Sequence, residues 1–399
     1  MPGKSIMDEF RKKAEAELRG NILPFWLEHS LDEEFGGFHG RISNDLKIDR
    51  HAEKGLILNS RILWTFSKAY QSYPESKFLL TAQRAYNYLL RFFRDPEFGG
   101  YYWLVDHLGR PLDTRKKIYG QAFTIYALAE FFLATGSEDC LREAVRLFEQ
   151  VEQTACDTEF GGYFETYNNN WTLADDQRLS EVDMDEKKSM NTHLHVLEAY
   201  TNLLRASQDD RLHRRLKELI LIFLTRVIDP HNHHFRLFFD ERWQCRSDRI
   251  SFGHDIEGSW LLCEAASVLG DTEIQKRVEE ESLQMAEAVR AQAIDADGGL
   301  FLEADPRGIV DTGKHWWPQA EAVVGFLNAY SLTGHEDFFT ASYSSWNFIE
   351  KYLVDREYGE WFWMVSREGV PSHEKFKVDP WKCPYHNSRA CFEVMERLR

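Results

Sequence analysis

Phe98-Gly99-Gly100-Tyr101-Tyr102-Trp103 reads as a tight turn running into a short aromatic strand, and the same reading returns along the whole chain. Upstream stands Phe35-Gly36-Gly37-Phe38-His39-Gly40, and downstream Phe160-Gly161-Gly162-Tyr163-Phe164-Glu165. Two degenerate copies follow, His233-His234-Phe235-Arg236-Leu237-Phe238 and Asp297-Gly298-Gly299-Leu300-Phe301-Leu302, and then Tyr358-Gly359-Glu360-Trp361-Phe362-Trp363. The steps between them are about 63, 62, 72, 65 and 61 residues. A fixed period marks a repeat architecture, in which each unit buries its apolar face against the next.

Two helical patterns lie between successive turns. One is apolar almost all round: Ile57–Tyr70, Gln121–Thr135, Leu194–Ala206, Ile256–Leu269, Ala320–Thr333 and Ala390–Leu398. The other carries a charged stripe: Lys77–Phe93, Cys140–Thr154, Leu212–Val227, Ile274–Arg290 and Asp337–Tyr352. The first kind belongs inside and the second faces water. The sixth outer helix is supplied by the amphipathic N-terminal stretch Ser5–Glu28, which would pair with the last inner helix. Six hairpins that close through their ends predict an all-α, double-layered (α/α)6 barrel with short β-hairpins at one end, one catalytic domain over residues 1–399. An open solenoid is the alternative. It needs polar capping repeats at both ends, and none is seen.

Composition narrows the function. Of 399 residues, 48 are Lys or Arg and 65 Asp or Glu, a net charge of -17, which lacks the basic footprint of a nucleic-acid binder. No stretch of about 18 apolar residues suggests a membrane span. The N-terminal stretch is charged, without a secretory apolar region. Cys140, Cys156, Cys245, Cys263, Cys383 and Cys391 form no CxxC pair. A cytoplasmic monomer with free thiols is expected, and the Asn170-Trp171-Thr172 sequon is expected to be inert. Aromatics reach 14%, which suits either helix packing or sugar stacking.

Polar residues recur near the starts of the inner helices: Asn59-Ser60-Arg61, Tyr119-Gly120-Gln121, Asn191-Thr192-His193-Leu194-His195, His254-Asp255-Ile256-Glu257, His315-Trp316-Trp317-Pro318-Gln319-Ala320-Glu321 and Tyr385-His386-Asn387-Ser388-Arg389. A closed ring brings them to one mouth. Asn191 and His195 share a helix face. His193 and His195 lie about 200° apart, so they cannot both point inward as a metal pair. Arg61 sits among Leu, Ile and Trp and must meet a carboxylate or a substrate oxyanion, since an unpaired buried cation is costly. Glu257, one turn after His254, could orient that imidazole or cap the helix. Trp316, Trp317 and Trp381 could pack or hold sugar rings. His231, His233 and His234 are expected in a solvated loop. There is no P-loop, GxGxxG, HExxH or nucleophile elbow, and no metal or cofactor is expected. Histidines, a guanidinium and an amide together suit proton transfer next to a carbonyl. Glu257, Glu321 and Asp255 keep a two-carboxylate glycosidase open.

The strings Leu58–Phe66, Ser189–Tyr200, Ser251–Glu257, His315–Glu321 and Trp381–Asn387 together resemble the N-acylglucosamine 2-epimerase superfamily, and within it the cellobiose 2-epimerase branch. The resemblance runs in order through nearly the whole chain. It implies an (α/α)6 enzyme inverting C2 of the reducing-end glucose of β-1,4-linked disaccharides, cellobiose or lactose, with ketose formation as a side reaction. It implies His254 and His386 as the acid/base pair and Arg61 and Asn191 as holders of the C1 and C2 oxygens. His195 is implied as a supporting histidine and Glu257 as the carboxylate near the pair. Trp317 and Trp381 are the implied sugar platforms. Tyr119 and Asp183 are further substrate-binding candidates by their place at the mouth, and Cys383 has no assigned role. A monosaccharide aldose–ketose isomerase of the mannose isomerase type, or an N-acylglucosamine 2-epimerase, would use the same barrel. A glycoside hydrolase or carbohydrate-binding module is the alternative of another class.

Overall fold

Fourteen consecutive residues, Ile118–Phe131, are buried in one helix. The helix after it, Glu138–Thr154, buries only Cys140, Glu143, Ala144, Leu147, Phe148 and Val151, a single stripe at helical spacing. The structure, a computed structural model, describes residues 3–399 and repeats this pairing six times. In chain order the helices begin with α1 (Lys4–Glu17), α2 (Leu23–His29), α3 (Leu56–Ser72), α4 (Ser76–Tyr88), α5 (Ile118–Thr135) and α6 (Glu138–Thr154). They continue with α7 (Met190–Ala206), α8 (Asp210–Ile222), α9 (Phe252–Leu269), α10 (Thr272–Gln292), α11 (Trp316–Thr333), α12 (Glu336–Phe348) and α13 (Tyr385–Arg397).

The odd-numbered helices from α3 to α13 form the inner ring. Each packs on the next, and α13 packs on α3. The even-numbered helices from α4 to α12 cover them from outside. The last outer place is filled by α1, which packs on α13 and joins α2 through a π-helical turn at Leu18–Ile22. The ring is therefore closed, an (α/α)6 toroid. Short antiparallel strands are confined to the end where the inner helices begin. Lys116–Lys117, just before α5, pairs with Thr166–Tyr167 of the next unit, and Lys188–Ser189, before α7, pairs with Phe238–Phe239. Neighbouring units are thus laced together around the mouth.

A buried ion pair recurs in five of the six units, the unit before α9 being the exception. Oδ1 of Asp95 accepts the backbone N–H groups of Glu97 and Phe98 (2.9 and 3.2 Å), while Oδ2 accepts the buried Lys116 ammonium at 2.7 Å. Asp32–Lys54, Asp157–Lys188 and Asp355–Lys377 repeat it, and Lys314 reaches Asp295 and Asp297. The second glycine of the turn is required by space as well as by its positive φ. A Cβ on Gly162 (φ 79°) would lie 2.5 Å from both His193 Nε2 and the Trp243 ring.

Two local expectations change. The inner helices begin earlier than their apolar runs, α11 at Trp316 rather than Ala320 and α13 at Tyr385 rather than Ala390. Their first turns carry polar side chains turned to the cavity, which the apolar period does not register. His234 is also not solvated. It is buried, with Nδ1 2.8 Å from Asp255. His231 is exposed and His233 half-buried beside Glu281. Among the described residues no helix is long and apolar enough to cross a membrane.

Candidate active site

Because every inner helix starts at the laced end, equivalent positions form rings. The second residues include Tyr119, Asn191, Trp317 and His386, and the sixth residues include Arg61, His195, Glu257 and Glu321. Positions four apart share one helix face, and here that face lines the mouth. The fourth residues turn away and hold the aromatic turns. Gln121 bonds both the N–H and the C=O of Tyr101 (2.9 and 2.8 Å), Gln319 does the same to Leu300, and His193 Nε2 accepts the Tyr163 N–H at 2.9 Å. That is why His195 reaches the cavity and His193 does not.

All ten side chains singled out in the sequence line one cavity of about 740 Å³. Both acid/base candidates pack against the same indole: Trp317 is centred 4.7 Å from the His254 ring and 5.8 Å from the His386 ring. Trp381 stands edge-on to Trp103 and Tyr119. Arg61 is buried, donates to the Tyr119 hydroxyl at 3.0 Å, and lies 4.2 Å from the Phe123 ring centre. It makes no ion pair among the described residues. A buried guanidinium without a carboxylate is poised for negative charge on a ligand. Asp183 sits on the segment Leu179–Asp183, which Lys117 ties down through Leu179 O (2.6 Å). Its carboxylate accepts both the N–H and the hydroxyl of Ser180 at 2.8 Å.

The two histidines have different partners. His386 Nδ1 is 2.6 Å from Glu321 Oε1, and Glu257 stands further off at 3.9 Å. The carboxylate fixes the tautomer with hydrogen on Nδ1 and leaves Nε2 basic. His254 Nδ1 instead meets Ser251 Oγ at 2.7 Å, so Glu257 does not orient it. Burial pushes His254 down to about 3 and His386 well below the ordinary range. His195 is held by Glu198 at 2.9 Å.

Behind this layer lies a charge cluster. Arg389 donates to Glu257 (2.6 Å) and Glu321 (2.7 Å) through Nη2, and to Glu198 through Nη1. Glu198 also accepts the Tyr385 hydroxyl. Burial, together with the neighbouring Glu321, drives Glu257 well above the carboxylate range, against the pull of Arg389. His386, Glu257 and Glu321 offer three ligand atoms within 4.8 Å of one another. The Arg389 guanidinium already bonds both carboxylates, and its charge opposes a cation there. Glu321 and Arg389 were quoted in the sequence motifs without these roles. Aligning the inner helices by their first residue would have placed Glu321 in one ring with Arg61 and His195.

Several cavity-lining groups keep a polar atom without a partner among the described residues: Arg61 Nε, Asn191 Oδ1, Glu257 Oε2, Trp316 Nε1 and Trp363 Nε1. Each is costly in a closed interior. Together they suit a ligand dense in hydroxyl groups, with indole faces for its apolar side.

A toroid with this mouth belongs to a known class. Residues 36–390 match the model of the N-acylglucosamine 2-epimerase family, and the chain belongs to that family. A cellobiose 2-epimerase of Bacteroides fragilis is 44% identical over 391 residues, 98% of this chain and 100% of that protein. Another from Dictyoglomus turgidum is 41% identical, covering 96% of this chain and 97% of that one. The solved structure of a cellobiose 2-epimerase from Bacillus thermoamylovorans superposes with a TM-score of 0.94 at 38% identity, covering 98% of this chain and all (100%) of that one.

Proposed function

We propose that this protein is a cellobiose 2-epimerase. It would interconvert the reducing-end glucose and mannose units of β-1,4-linked disaccharides, cellobiose to glucosyl-mannose and lactose to epilactose. The observation that carries the reading is the buried, carboxylate-free Arg61 at a cavity where two imidazoles flank one indole.

The opened sugar presents an aldehyde at C1. His386, backed by Glu321, takes the C2 proton on Nε2, and the electron pair moves onto the C1 oxygen to give a cis-enediolate. Arg61 supplies its positive charge and Asn191 its amide to the C1 and C2 oxygens. His254 delivers a proton to the opposite face of C2. Two bases are needed because one fixed base tends to return the proton to the face it left. Reprotonation at C1 gives a ketose, so ketose formation is a leak of the same intermediate. His195 and Tyr119 support the substrate and Arg61, Trp317 and Trp381 carry the pyranose faces, and Asp183 meets hydroxyls at the mouth. The same reading has one catalytic domain over residues 1–399 working as a cytoplasmic monomer, with neither metal nor organic cofactor.

The hydrolase alternative loses support on geometry. Glu321 is fully engaged by His386, Arg389 and Trp260, Glu257 is bound to the same guanidinium, and Asp255 serves His234. The monosaccharide isomerase differs only in substrate. Proton NMR of cellobiose in D2O separates the three. Deuterium at C2 with a mannose-type anomeric signal is expected. Ketose formed from mannose alone, or free glucose, would overturn the reading. His386→Asn and His254→Asn are each expected to abolish turnover with the helical circular dichroism unchanged, and appreciable activity in either removes that residue from the pair.

A further inference from the structure

We propose that Ser251 relays protons to His254 from a second chamber, so that this imidazole reprotonates the substrate while remaining neutral. The proposal rests on the C2-epimerisation reading.

The second chamber, of about 520 Å³, adjoins the first. Asn191 and His254 line both, and the segment carrying Leu179, Val182 and Asp183 divides them. Ser251 lines only the second chamber. Its rim includes exposed Arg246, Asp248 and Arg249, which gives this side its own opening to solvent. Ser251 Oγ, 2.7 Å from His254 Nδ1, therefore joins that ring nitrogen to the wall of the second chamber. The back of His386 is different. Its Nδ1 meets the Glu321 carboxylate inside the Arg389 cluster, while burial and the guanidiniums of Arg61 and Arg389 hold this imidazole down as well. His254 has no such carboxylate partner, and burial holds it down to about 3. A protonated His254 is therefore scarce at neutral pH, yet the reaction needs it to donate.

A hydroxyl resolves the conflict because it can donate as well as accept. With the Ser251 O–H donating to Nδ1, neutral His254 carries its hydrogen on Nε2, facing the substrate. Nε2 gives that proton to C2 of the enediolate while Nδ1 takes the hydrogen of Ser251. The Ser251 oxygen is refilled by a proton from solvent in the chamber, whose wall also carries Glu165, lifted by burial to about 7. For each proton delivered to carbon one enters through Ser251. For each taken from carbon one leaves through His386, so charge and atoms balance over a cycle.

Wild type, Ser251→Ala and Ser251→Thr are compared with cellobiose in D2O. For Ser251→Ala the relay predicts a fall in kcat of about 100-fold, within the span of a lost proton-transfer group, with KM nearly unchanged. His386 still opens the C2–H bond, so deuterium in recovered cellobiose rises relative to that in the epimer. Ser251→Thr, which keeps the hydroxyl, and added imidazole buffer both restore turnover. Undiminished turnover in Ser251→Ala, or a loss that neither threonine nor buffer restores, overturns the relay. Absence of C2 deuterium in the wild-type reaction overturns the epimerase reading itself, and the relay with it.

Discussion

Replacing Glu321 by glutamine tests the division of labour between the two histidines. Glu321 Oε1 takes His386 Nδ1 at 2.6 Å and Arg389 Nη2 at 2.7 Å, while Oε2 takes the Trp260 indole N–H at 3.0 Å. The side chain is buried, so its charge is poorly screened. On the proposed mechanism His386, in removing the C2 proton, becomes an imidazolium beside this carboxylate. Two unit charges about 4 Å apart attract by about 4 kcal/mol at an effective dielectric of about 20. Arg389, bonded to the same oxygen, offsets up to half of that. The amide would thus raise the barrier by about 2–4 kcal/mol, a fall of roughly 30- to 1,000-fold in kcat. The loss should fall on kcat, with KM moving less than about threefold, because the charge pair exists only once the proton has moved. Trp260→Phe is the control. It removes the bond to Oε2 but not the charge, and should lower stability by about 1 kcal/mol with kcat close to wild type. Steady-state kinetics on cellobiose, with the epimer quantified by chromatography, reads both. A Glu321→Gln enzyme within threefold of wild-type kcat, or one whose whole loss is in KM, would falsify the assignment of Glu321 as the partner of the base.

Glu360 occupies the sixth unit's second-glycine position at φ 61°, where its carboxylate accepts Trp26 Nε1 (2.7 Å), the Lys382 ammonium (2.6 Å) and the Asn387 amide (2.7 Å). It ties α2 to Lys382 and to Asn387 on α13, so Glu360→Ala, which strands a buried lysine, should cost about 3–5 kcal/mol in urea unfolding, and a loss under 1 kcal/mol would refute the latch. Acid should also weaken the fold: burial depresses His193 and His315 to about 4 and His254 to about 3, from an ordinary 6.5. Below pH 6.5 the unfolded chain binds protons that these native histidines refuse, so each costs about 2–3 kcal/mol by pH 4.5. Glu165, raised to about 7, acts in the opposite sense between pH 4.5 and 7, as does Glu257, which burial also raises, and the two recover part of it. Thermal unfolding at pH 7 and 4.5 should show a clear drop in Tm, and an unchanged Tm would contradict the neutral burial of these rings.

The repeat and the helices were legible because they rest on local periodicity, which a chain shows without its neighbours. The ring of candidates was legible for the same reason, since polar residues recur near the starts of the inner helices, Arg61, His195 and Glu257 among them. What stayed hidden depends on contacts between units. His386 and Glu321 are far apart in sequence, and nothing local says that the histidine prefers Glu321 to Glu257. The pairing of His254 with Ser251 was hidden otherwise: within Ser251–Glu257 the serine looks like an ordinary helix cap, and the glutamate one turn on looks like the better imidazole partner. The structure gives that glutamate to Arg389 instead. The choice has a physical basis. A guanidinium that bonds three carboxyl groups from α7, α9 and α11 can reach them all only by standing between them, and Glu257 is one of the three. His254 is then left with a neutral partner, and the twofold-looking pair of imidazoles becomes one base set against a carboxylate and one set against a hydroxyl. On the proposed mechanism the two faces of C2 are then served by imidazoles with unlike partners, Glu321 behind His386 and Ser251 behind His254.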